Sequence, residues 1–200
     1  MKILGSPTSE QRDLIRRLIN GECICRLPEA ATAQLLDAGT MVEYAAGEAI
    51  TAAGTVDPDI YLLTEGIIRS WYWDGDVEKT AYFGTPGTMC VSFHGYLLRR
   101  PAPNTHEACC RSLLFKVPKE AYDSLAATNH DFARWCLDYA HFQLFYFEMK
   151  QSVIQGTARE RYESLIRNRP EIVRNVPLKI IASYLGITPQ YLSQLRKNLR

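Results

Sequence analysis

No apolar run in this 200-residue sequence approaches the ~20 residues that a membrane-spanning helix needs. The N-terminus offers no secretory leader either. Met1-Lys-Ile-Leu-Gly-Ser-Pro7 is broken before an apolar segment can develop. Both absences point to a cytoplasmic protein with no membrane partner. Cysteine occurs six times, at Cys23, Cys25, Cys90, Cys109, Cys110 and Cys136, but never as Cys-x-x-Cys. The spacings fit no recurrent zinc or iron–sulfur site, and without a secretory context disulfides are not expected. Histidine occurs only four times. His94, His106 and Glu107 are the one set that a cupin-like metal enzyme could draw on. They lack a close His-x-His pair, so no catalytic residue, metal or other cofactor is expected from them. Internal repeats and low-complexity segments are missing too.

Net charge is nearly absent as well, at +1, but it is unevenly spread. Before Thr157 there are 14 Lys and Arg against 19 Asp and Glu; from Thr157 onward there are 9 against 3. A basic C-terminal segment on an acidic body is the footprint of a nucleic-acid module joined to something else.

That segment is also patterned for packing. Pro177 suits the start of a helix in which Ile180, Ile181 and Leu185 form an apolar stripe. Gly186 can end it in a left-handed conformation. Thr188 can cap a second helix, with Pro189 as its first residue. There Leu192, Leu195 and Leu199 face inward, while Gln190, Ser193, Gln194 and Lys197 face outward. Small Ala182, Gly186 four residues later and Leu192 six after that are what two helices need to cross closely. The pattern is that of a helix-turn-helix, whose partner would be double-stranded DNA.

Earlier in the chain, Glu10 to about Asn20 and Pro28 to Leu36 read as helices. From Gly39 the period changes to strands: Met41–Tyr44, Ala49–Thr51, Ile60–Trp73 broken at Glu65-Gly66, and Val77–Phe83 after an Asp74-Gly75 turn. Further strands are expected around Met89–Phe93, Thr105–Ala108 and Ser112–Val117. Many short strands with glycine turns argue for a small sandwich or barrel. A short helix follows over Pro118–Leu125, then a long one from His130 to about Gln155.

In the long helix Phe132, Trp135, Tyr139, Phe142, Tyr146, Met149 and Val153 recur at spacings of three and four, a heptad seam. Ala133, Leu137, Ala140, Leu144 and Phe147 make a second apolar stripe. Two apolar faces need two partners, expected to be the chain's own β-domain and the same helix of a second copy. The spacing alone does not assign each stripe to its partner; the first stripe is taken as the candidate dimer seam. Gly156 then separates this helix from one opened by the capping box Thr157-Ala-Arg-Glu160.

Strand-rich front, long helix and basic helix-turn-helix together resemble the cyclic-AMP receptor and fumarate–nitrate regulator (Crp/Fnr) family over nearly the whole chain. Gly47-Glu48-Ala-Ile50 is similar to the family's Gly-Glu-x-Ile turn. Tyr61-Leu-Leu-Thr-Glu-Gly66-Ile-Ile-Arg69 is similar to its strand–Glu-Gly–strand segment. Arg161-Tyr162, Val176-Pro177 and Ile181-Ala-Ser-Tyr-Leu-Gly-Ile-Thr188 resemble a short subgroup, and no β-hairpin wing follows the last helix. The resemblance implies an α+β protein: an N-terminal antiparallel β-roll (a double-stranded β-helix), a long dimerisation helix and a C-terminal helix-turn-helix. It divides the chain into an effector domain over 1–128, the dimerisation helix over 129–156 and a DNA-binding domain over 157–200. The implied role is that of a homodimeric transcriptional regulator, with RNA polymerase as a further candidate partner.

Set against the family motif, Gln190 and Gln194 fall at base-reading positions. Thr188, Ser193, Arg196 and Lys197 suit phosphate contacts, and Tyr191 suits either role. The family's cyclic-nucleotide turn would here begin Gly84-Thr85-Pro86-Gly87 and close Arg99-Arg100-Pro101-Ala102. It lacks the acid that binds ribose, and proline replaces the hydroxyl residue after the arginine. Cyclic AMP is therefore not the expected ligand; another small-molecule effector, or none, stays open, as does the alternative of a dimeric small-molecule sensor that does not bind DNA.

Overall fold

The computed structural model describes residues 1–21, 25–154 and 156–198; within them, the side chains of 146, 147 and 149–154 are not described. Cys23 and Leu199, and the side chains of Tyr146, Met149 and Val153, therefore lie outside the described residues.

The chain opens with a strand that the sequence pattern does not signal, β1 (Lys2–Gly5). Helix α1 (Ser9–Ile19) follows, started by a capping box in which the Thr8 hydroxyl accepts from Gln11 N and the Gln11 carboxamide accepts from Thr8 N. Next come α2 (Glu29–Ala38), β2 (Thr40–Tyr44) and β3 (Ala49–Thr51). Strands β4 (Ile60–Glu65), β5 (Ile68–Asp74), β6 (Val77–Gly84) and β7 (Met89–Val91) carry the β-branched and aromatic run. The strand expected to reach Phe93 stops at Val91. Ser92 instead caps α3 (Phe93–Leu98), its hydroxyl accepting from Gly95 N at 3.3 Å. Strands β8 (Thr105–Ala108) and β9 (Ser112–Val117) complete the β-region.

The nine strands among the described residues form two antiparallel sheets, one in the order β1-β2-β9-β4-β7 and the other β3-β8-β5-β6. The chain crosses from β4 to β5 at Gly66, with φ +98°. A Cβ there would lie 2.3 Å from Ser112 Oγ, so only glycine fits the corner. Between the sheets lie Val42, Ile50, Leu63, Ile68, Cys90 and Leu114, all buried.

Behind the five-stranded sheet sit α1, α2, α4 (Lys119–Thr128) and the first half of α5 (His130–Ile154). This layer is a second core, built on Ile15, Leu36, Met41 and Phe115 together with Phe132 and Trp135. Both aromatic residues are 0 % exposed within the single chain. The Trp135 indole donates to Ile19 O at 3.0 Å. Tyr139 stacks on Trp135 at 5.7 Å, and its hydroxyl accepts from Met89 N. The expectation that Phe132, Trp135 and Tyr139 face a second subunit is thus corrected. The bulkier stripe has more apolar surface to remove from water, and it turns onto its own chain. Phe142 is half-buried. The residues left outside are those of the other stripe, Leu137 at 59 % and Leu144 at 64 % exposed, with Phe145 beside them.

A third core gathers α6 (Ala158–Asn168), α7 (Pro170–Asn175), α8 (Leu178–Leu185) and α9 (Pro189–Asn198). The helix α7 was not anticipated; Arg169-Pro170 ends one helix and starts another. Tyr162, Leu165, Ile172, Ile181, Leu192 and Leu195 form this core, and Ile67 and Phe83 of the β-region join it.

Replacing Trp135 with alanine is expected to lower unfolding stability by about 3–5 kcal/mol, the cost of a large core cavity. Chemical denaturation should give the same loss at low and high protein concentration, because the indole is buried without a partner subunit.

Candidate nucleic-acid interface

Helices α8 and α9 are set by their turn. Gly186 takes φ 66° and ψ 33°, ending α8 in the left-handed region. Its N–H reaches Ser183 O at 3.1 Å, and Ile187 N reaches Ala182 O at 3.0 Å. That pair of bonds is the Schellman closure, which satisfies two carbonyls the helix end would otherwise leave open. The Thr188 hydroxyl then accepts from Tyr191 N at 3.1 Å, capping α9. Ala182, Ile181, Leu185 and Leu192 are buried where the helices cross. These placements follow the spacing read from the sequence.

The outer face of this unit is polar. Thr188, Gln190, Tyr191, Ser193, Gln194 and Lys197 are exposed, and Arg196 is half-buried. The structure brings all seven sequence-named residues onto one unit, at or beside the N-terminal end of α9 and along its outer face. No acidic residue follows Glu171 in the sequence. Among the described residues no carboxylate pairs with Lys179, Arg196 or Lys197. The face therefore presents uncompensated positive charge beside amide and hydroxyl side chains, the mixture that suits a polyanion with hydrogen-bonding edges.

The candidate effector residues fare differently. Gly84 ends β6 and Gly87 lies in the turn into β7, whereas Arg99, Arg100 and Ala102 come after α3. Arg99 closes α3 in a left-handed conformation, and its guanidinium pairs with Glu120 of α4 at 2.9 Å. Arg100 is exposed, and Ala102 is held by backbone bonds to Gly54 and Thr55. Arg99 is thus tied to α4 and Arg100 is exposed to solvent, and no described contact joins either to Gly84 or Gly87. Helix α3 occupies Phe93–Leu98, of which only Phe93 was expected in a strand, and both arginines follow its far end.

Beside the apolar residues between the sheets lies a polar aromatic cluster that the sequence reading missed. Asp57 Oδ2 accepts from the Thr51 hydroxyl at 2.8 Å and the Tyr61 hydroxyl at 3.1 Å. Tyr44 bonds to Tyr61, and burial pushes its phenol up to about 12. His106 meets the Tyr82 hydroxyl at 3.4 Å through Nε2, and burial lowers its imidazole to about 4. The alternation Ile60-Tyr61 and the lone Asp57-Pro58 were the available signals, read only as strand and turn.

His94, His106 and Glu107 do not form a metal site. His94 is exposed on α3, and the neighbouring side chains of His106 and Glu107 point to opposite faces of β8. Among the described residues no group of three or more His, Cys, Asp or Glu could hold a metal ion. Glu107 instead serves Arg69, which is 5 % exposed. Arg69 Nε donates to Glu107 Oε1 at 3.0 Å, Arg69 Nη1 to Glu78 Oε1 at 2.6 Å, and Trp71 Nε1 to Glu107 Oε2 at 3.0 Å. A guanidinium so buried persists only with such partners.

No protein-family model matches the sequence, and no curated protein is significantly similar to it. Solved structures do match. FixK2 from Bradyrhizobium japonicum is 19 % identical at a TM-score of 0.65, over 80 % of this chain and 84 % of that one. A cyclic nucleotide-binding domain from Methylobacillus flagellatus is 13 % identical at a TM-score of 0.63, over 84 % and 88 %. The sensor domain of the transcriptional regulator DNR from Pseudomonas aeruginosa is 18 % identical at a TM-score of 0.56, over 68 % and 91 %. The chain shares their fold. No described helix is long and apolar enough to cross a membrane.

The buried His106 sets a pH dependence. Its imidazole stays neutral in the folded chain down to about 4, while the unfolded chain takes up the proton near 6.5. Stability is therefore expected to fall as pH drops through that window, by about 2 kcal/mol between pH 7 and pH 5. Denaturant titrations across the window should show the slope, and His106→Gln should remove it.

Proposed function

We propose that this chain is a homodimeric, sequence-specific DNA-binding transcriptional regulator, in which a cyclic-nucleotide-binding-like β-roll carries a C-terminal helix-turn-helix. The observation that carries the reading is the α8–α9 unit: a closed turn, a shared apolar core and an open outer face bearing amides, hydroxyls and unpaired cations. The charge split supports it, since the acidic front half would be repelled by DNA and the basic unit drawn to it. The likeness to solved structures supports the roll.

In this reading the N-terminal half of α9 enters the major groove. Gln190 and Gln194 read base edges; a glutamine carboxamide both donates and accepts, as adenine N7 and N6 require. Thr188, Ser193, Arg196 and Lys197 hold phosphates and set register, and Tyr191 stands at their edge. A second copy docks along the exposed α5 stripe of Leu137 and Leu144, so two α9 helices face half-sites about 34 Å apart. The roll interior holds Tyr44, Tyr61, Tyr82 and His106 beside its apolar core, and among the described residues no arginine is seen to pair with Tyr44, Tyr61 or His106. That arrangement supports a regulator that does not use cyclic AMP.

Duplexes selected from random sequence by the purified protein test this directly. Gln194→Ala should cost about 1–3 kcal/mol on the selected site and flatten preference at the base it reads. Lys197→Ala should weaken selected and random duplexes alike and reduce the salt slope by about one. Equal binding of all duplexes by the unmodified protein would refute sequence reading. For the dimer, Leu137→Glu with Leu144→Glu should yield a single subunit in sedimentation that retains the native circular dichroism spectrum.

A further inference from the structure

Strand β6 is an outer strand of its sheet, paired on one side only with β5. An outer strand leaves backbone groups open on its free side. Here one of the open pairs is closed by a single side chain from the C-terminal unit. Ser183 of α8 accepts from Thr80 N at 2.9 Å and donates to Glu78 O at 2.7 Å. One hydroxyl thus does what a residue of a neighbouring strand would do, 105 residues away in sequence. Around it Phe83 and Tyr184 pack ring to ring at 5.0 Å, and the Arg169 guanidinium donates to Phe83 O at 3.3 Å.

The seat for that hydroxyl is itself held. Arg69 binds the Glu78 carboxylate at 2.6 Å and reaches the Thr80 hydroxyl at 3.4 Å. The two strand positions whose backbone receives Ser183 are the two whose side chains the buried guanidinium gathers. A β-bulge follows at once, where Ser70 pairs with Tyr82 but Trp71 pairs with Thr80. Docking does not cover the outer face of α9, because Gln190, Gln194 and Lys197 remain exposed while Ser183 is engaged. The contact orients the unit without masking it.

We propose that Ser183 is a latch that fixes the orientation in which the roll carries the α8–α9 unit, so that a dimer presents both units to DNA already aligned. The DNA half of this inference rests on the function proposed above; the latch itself does not. A unit free to swing about Gly156 would lose motion on meeting two half-sites, and a latched one has already lost it.

Ser183→Ala and Ser183→Thr, compared in the full chain, separate the two halves. With no DNA present, exchange of the Thr80 amide should quicken by about tenfold or more in Ser183→Ala, as expected when one hydrogen bond is lost, and stay slow in Ser183→Thr, which keeps the hydroxyl. Unchanged protection in Ser183→Ala would overturn the latch. On duplexes selected by the unmodified protein, Ser183→Ala should bind about tenfold more weakly, with Ser183→Thr close to the unmodified protein. Equal or tighter binding by Ser183→Ala would overturn the alignment role. If the unmodified protein selected no duplex, the DNA reading would fail, and the exchange result alone would decide the latch.

Discussion

The indole of Trp135 joins the long helix to the strand-rich front half. It is wholly enclosed, it packs between Phe132 and Tyr139, and its N–H is spent on the last carbonyl of α1. With that side chain seated, α5 cannot roll about its axis. The direction of Leu137 and Leu144 is then fixed, and so is the point from which α6 departs. Everything C-terminal inherits its position from this junction and from the contacts of α8 on β6.

Much of this was legible from residue spacing. Gly186, Thr188 and Pro189 announced the turn between α8 and α9, because each residue type has one backbone conformation or bond that it serves best. Thr157 and Glu160 announced the start of α6 for the same reason, and the capping box is present. Glu65-Gly66 marked a corner that the packing of Ser112 turns out to require. Such signals are local, and the sequence displays them directly.

What could not be read was long-range. Two apolar stripes on α5 were visible, but which one faces inward depends on the shape of a sheet assembled from strands as far apart as β1 and β9. Arg99 and Arg100 stand where the family's phosphate-binding turn would close, but they follow α3, and Arg99 pairs with Glu120. His106 and Glu107, adjacent in sequence, serve different neighbourhoods: one meets Tyr82 between the sheets, the other binds Arg69. Nothing in a run of residues names a partner that lies far along the chain, as Ser183 and Thr80 illustrate.

The turn at Gly186 is closed by main-chain bonds and by residues that face the interior. Apart from the Thr188 cap, the outward side chains of α9, Gln190, Ser193, Gln194 and Lys197, lie exposed and outside the buried core. They can be exchanged without disturbing the scaffold beneath them. In the proposed reading, a lineage carrying this architecture can retune what the helix recognises, one surface residue at a time, at small cost to stability.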